Sequence, residues 1–72
     1  MNEIEQQLLA ALVELERLVG EMPKMQPKPD LRPLFARIED LGEKLHPGTD
    51  PQLLHFLHRK SYQKARVWLE QQ

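Results

Sequence analysis

A helix packed against a single neighbour buries one stripe, and the first helix of this chain carries more apolar positions than one stripe holds. From Asn2 to Met22, at about 100° per residue, Ile4, Leu8, Ala11, Leu12, Leu15, Leu18, Val19 and Met22 fall within an arc of about 120°, the width of a core-facing face. Leu9 and Val13 lie well outside that arc, on the side expected to be wet. A chain of 72 residues that closes a core and still has apolar side chains left over is expected to touch something, so Leu9 and Val13 read as a self-association surface, a homodimer contact. The competing reading is ordinary: single exposed apolar residues are common on monomers.

The length allows one small helical domain, near the lower limit of what folds without staples. The chain has no cysteine, which removes disulfides, thiolate metal sites and thiol nucleophiles. An apolar content of 40% supports a packed core rather than disorder. No apolar run approaches the roughly 20 residues of a membrane span, and Met1-Asn2-Glu3 is acidic where a secretory leader is basic. The expectation is a cytoplasmic protein with no membrane contact.

The ends of the helices are written locally. Asn2 with Glu5 forms a capping-box pattern, and Gly20 and Pro23 mark the end of a first helix over about 3–21. Residues 22–30 hold three prolines and predict a stiff, extended connector without P-x-x-P spacing, with Met22 and Met25 folding back on the core edge. A second helix is expected over about 31–46, capped by Asp30, with Leu31, Leu34, Phe35, Ile38, Leu41 and Leu45 on its inner arc. Pro47 and Gly48 end it, and Asp50-Pro51 starts a third helix over about 51–70. Two readings of that last segment stay open. As one helix, Leu54, Leu57, Ser61, Tyr62, Ala65, Trp68 and Leu69 share a face, which strands Phe56 and Val67 outside. A break near Arg59-Lys60, with Ser61 capping a fourth helix, frees Phe56 to turn inward. Either way the fold class is all-α, a three-helix bundle or its four-helix variant.

The near-neutral net charge of −1 hides an asymmetry. The first helix carries five glutamates against Arg17, whereas Arg59, Lys60, Lys64 and Arg66 face only Asp50 and Glu70 in the last segment. Neighbouring helices of one bundle would show such a pattern.

Few chemistries fit. His55 and His58 at i, i+3, with Asp50 and His46, form the one conceivable metal set, but the spacing is not the common i, i+4 pair, and no metal or other cofactor is expected. Ser61 and Thr49 are the only serine and threonine, both at helix starts where capping explains them, and the three glycines are isolated, so no phosphate loop exists. A core this small is expected to leave no room for a cavity of several hundred Å^3. An enzyme is therefore not expected.

The patch that invites a partner is C-terminal. Phe56, Gln63 and Val67, rimmed by His55, Arg59, Lys60, Lys64 and Arg66, suit an acidic helical protein partner. Two readings compete. The cations can be used up by the glutamates of the first helix, or they can track a nucleic-acid backbone, which is disfavoured because the chain is not basic overall. Ser61-Tyr-Gln-Lys-Ala65 with Trp68-Leu-Glu70 resembles one helix of a tetratricopeptide-type repeat over about ten residues, but no second copy recurs at its period, so that family's function is not carried over. The expectation is a non-catalytic interaction module that binds a protein partner or itself, with a nucleic-acid-binding accessory protein as the alternative.

Overall fold

The computed structural model describes residues 1–72, and two of its four α-helices begin where an N-cap side chain takes up an orphan amide. Asn2 accepts from the Glu5 amide at 2.8 Å while the Glu5 carboxylate accepts from the Asn2 amide at 3.2 Å, a closed capping box that starts α1, Glu3–Glu21. Asp50 accepts from the Gln52 amide at 2.8 Å ahead of Pro51, which opens α3, Pro51–His58. Both starts agree with the sequence expectation.

α2, Arg32–Glu43, is shorter than expected at both ends. The residue preceding it is Leu31 rather than Asp30, whose carboxylate instead accepts from the Arg32 amide at 3.0 Å and pairs with the Arg32 guanidinium. Leu45 is still buried after the helix has ended, because the chain turns there through His46–Thr49, with the Thr49 amide donating to the His46 carbonyl at 2.9 Å. The proline-rich connector is also not extended throughout. Met22–Lys24 forms a 3-10 turn, and regular structure is absent only from 25 to 31. Met22 and Met25 are half-buried but do not join the core cluster.

The last segment is broken, giving α3 and α4, Tyr62–Glu70. The break is a Schellman turn: the Ser61 amide donates to the Phe56 carbonyl at 2.8 Å and the Lys60 amide to the Leu57 carbonyl at 3.0 Å. Lys60 takes the left-handed conformation this turn needs, φ 56°, where glycine is the usual residue. Ser61 precedes α4 without a side-chain cap, so the backbone turn, not the hydroxyl, makes the break. The break also resets the face of α3. Leu53, at the margin of a continuous helix, is fully buried, and Leu54, at its centre, is 39% exposed.

α1 is the central element, packing against α2 and α4, and α3 packs on α4. The core joins Leu8, Leu12 and Leu15 of α1 to Ile38 and Leu41 of α2, Leu53 of α3 and Leu69 of α4, with Ala11 and Ala65 as its small members. Of the two surplus apolar residues on the first helix, packing accounts for Leu9, while Val13 stays 44% exposed. Leu9 is half-buried against the core rather than on the wet side, on the same flank of α1 as Glu16, whose carboxylate pairs with Arg66 of α4. The buried stripe of α1 is therefore wider than one neighbour requires. Its C-terminal end is less covered than the wheel implies, with Val19 51% exposed. No helix is long and apolar enough to cross a membrane.

Two helical glycines have room for a side chain. A Cβ on Gly20 would meet nothing within 4 Å, and one on Gly42 would sit 3.8 Å from Leu57 Cδ1, an ordinary van der Waals contact. Gly20→Ala and Gly42→Ala are each expected to stabilise the fold by about 0.5–1 kcal/mol, since alanine loses less backbone entropy in a helix. In a domain of this size that raises the midpoint of thermal unfolding by roughly 2–8 °C, read by circular dichroism. A fall at Gly42 would mean that α2 and α3 lie closer than described.

Candidate functional site

The α3–α4 turn decides what the C-terminal residues can do together. Gln52 and Phe56, one turn apart on α3, form one wall of an open groove of about 420 Å³. Gln63, Lys64, Val67, Trp68 and Gln71 of α4 form the other. Phe56 and Trp68 are half-buried and rest against the core, so each has one side fixed and one available, and Val67 is 39% exposed. The expected patch thus survives in part. Phe56, Gln63, Lys64 and Val67 meet in one groove, and Arg59 follows Phe56 by three residues along the same flank of α3.

The other two cations of that set are turned elsewhere. Arg66 is on the far side of α4 from Lys64, mostly buried between Glu16 of α1 and Glu70 of its own helix. Its Nε is in ionic contact with Glu16 Oε2 but lacks the alignment of a hydrogen bond. Lys60 reaches toward α2, 4.0 Å from Glu39. Intramolecular pairing of the acidic first helix with the basic last one therefore accounts for Arg66, and α2 accounts for Lys60. Arg59 and Lys64 are exposed and form no ion pair.

Trp68, Gln52 and Gln71 were not among the expected site residues. Trp68 belongs to the core face on a wheel, yet tryptophan is seldom fully buried because of its size, and that was the available signal. The two glutamines carry no pattern at all. Their place follows from the angle at which α3 turns back on α4.

A second open groove, about 370 Å³, runs between α2 and α3 over Ile38, Leu54, Leu57 and Tyr62. Its mouth carries Glu39 and Glu43 on one side and His58 and Lys60 on the other. The Tyr62 phenol is pushed above its ordinary pKa, first by burial and then by the nearby Glu39 carboxylate. These two grooves correct the expectation that so small a chain has no space of several hundred Å^3; the core is filled, and the space lies between helices at the surface.

The remaining candidates are dispersed. Val13 is 44% exposed, but with Leu9 drawn into the core it no longer forms a pair. His46 accepts from the Gly48 amide at 2.8 Å, which holds the loop, and the His55 ring lies beside Phe56 with centroids 6.3 Å apart. No three histidine, aspartate or glutamate side chains converge as metal ligands. Compared with known proteins, the chain matches no family model, no curated protein and no solved structure.

Proposed function

We propose that this chain is a non-catalytic helical interaction module that docks a protein partner in the α3–α4 groove. One observation carries the reading. Phe56, Val67 and Trp68 sit together in one surface groove, Phe56 and Trp68 anchored against the core and Val67 39% exposed, between walls that contain no carboxylate. Aromatic anchors with one fixed side and one open side are what a binding hot spot is made of, because they offer contact area at small entropic cost. Nucleic acid is the weaker alternative: only Arg59 and Lys64 remain unpaired on this face, whereas a phosphate-tracking surface presents many cations.

The test is selection of binders to the full chain from a fully randomised displayed peptide library. Wild-type protein is expected to enrich peptides that shift the emission of Trp68, the chain's one tryptophan. Val67→Asp should abolish their binding, whereas Val13→Asp should not. Both positions are exposed, so each change is expected to cost little stability, within about 0.5 kcal/mol. Failure to enrich any binder, or binders indifferent to Val67→Asp but lost with Val13→Asp, would refute the groove as the docking surface and return attention to α1.

A further inference from the structure

From the charges left over on this surface we infer that the groove takes an amphipathic α-helix with an acidic rim, supplied by another protein rather than by a second copy of this chain. The inference rests on the docking reading above and names the occupant.

Shape argues for a helix. The valley between two packed helices is the surface on which a bundle seats a further helix, ridge into groove. α4 spans nine residues, about 13 Å of rise, which matches the roughly 10 Å between the first and last of i, i+4, i+7 anchors. The fold has no strand and hence no sheet edge to extend with a peptide strand.

Charge argues for an acidic rim. Lys64 lines the groove and Arg59 stands at the end of its α3 wall, both exposed and both without a carboxylate partner. Three carboxylates are already engaged by the other cations of this segment: Glu70 and Glu16 hold Arg66, and Glu39 faces Lys60. A partner helix carrying Asp or Glu beside its anchors would complete the two free cations, and one carrying Lys would oppose them.

The chain's own acidic helix does not fit. The outward face of α1 presents Ala10, Val13 and Arg17, a single apolar side chain larger than alanine with a cation one turn beyond it. Arg17 is already bracketed by Glu14 and by Glu21 at 2.9 Å, so α1 has satisfied its acidic rim within itself.

The experiment uses two displayed libraries on one amphipathic helical scaffold, with the same randomised apolar anchors and flanks fixed as Glu in one and Lys in the other. Both are selected against the full-length chain, and the best binders are resynthesised with the opposite flanks. Acidic flanks are expected to bind about tenfold tighter or more than basic ones, to shift Trp68 emission, and to lose that advantage against Lys64→Glu but keep it against Lys64→Arg. Equal affinity for both flanks would overturn the acidic rim while leaving the docking groove standing. Binding of acidic peptides whose anchors are all alanine, or of a DNA duplex with a steep salt dependence, would overturn the helix and mark a polyanion surface instead. Concentration-dependent dimerisation that competes with the peptides would overturn the separate partner in favour of a second copy. Gly42→Ala, remote from this groove, serves as the folded control.

Discussion

Ile38→Ala is expected to cost about 2–5 kcal/mol and to lower the midpoint of thermal unfolding by roughly 10 °C or more, whereas Phe35→Ala, one turn away on the same helix, is expected to cost only about 1 kcal/mol. Ile38 is 1% exposed at the centre of the core, and its truncation leaves a cavity that α1 cannot close without moving α4 as well. Phe35 is 36% exposed and packs on Tyr62 with ring centroids 6.1 Å apart, a contact at the rim that water already reaches. A domain of 72 residues has a total stability of roughly 4–11 kcal/mol, so the first change removes a large share of it and the second does not. Melting curves of the two single variants decide the matter. Equal losses would mean that α2 is rotated from the orientation described here, with Phe35 turned inward.

That pair also shows where the sequence was legible. Helix starts are local chemistry, and Asn2 with Glu5 and Asp50 with Pro51 are decided within four residues, so they could be read directly. Which residue of an apolar arc is deepest is not local. Leu34, Phe35 and Ile38 share one arc on the α2 wheel, and only the position of α1 separates the buried Ile38 from the exposed Phe35. Leu9 is the same case in reverse. It is half-buried on the flank of α1 where Glu16 meets Arg66 of α4, some fifty residues along the chain, and the opposite charges of the two helices were the one advance sign of that packing.

The groove was legible to a similar degree. Phe56, Gln63, Lys64 and Val67 follow from helical spacing, and they stay together even though the helix carrying them is broken. The fates of Arg66 and Lys60 depend on which carboxylate each meets across the bundle, Glu16 in one case and Glu39 in the other. Sequence alone placed them on opposite sides of one apolar patch.

The last expectation concerns the turn on which the groove depends. Lys60→Pro is expected to cost about 3 kcal/mol or more, and Lys60→Gly to stabilise by roughly 0.5–1 kcal/mol, although both remove the same charge. Proline fixes φ near −65°, whereas Lys60 stands at φ 56°. Proline also deletes the amide that donates to the Leu57 carbonyl at 3.0 Å. Glycine adopts the left-handed conformation at no steric cost and keeps that amide. Loss of the exposed 4.0 Å contact with Glu39 matters little in either variant, because exposed ion pairs contribute about 0–1 kcal/mol. Opposite shifts in the unfolding midpoint would establish the left-handed turn. A continuous α3–α4 helix predicts the reverse for glycine, a loss of about 1 kcal/mol in the middle of a helix. The same two variants bear on binding. Only the turn brings Phe56 and Gln52 alongside Val67 and Trp68, so Lys60→Gly should retain peptide binding and the Trp68 response, and Lys60→Pro should lose both even below its own unfolding midpoint.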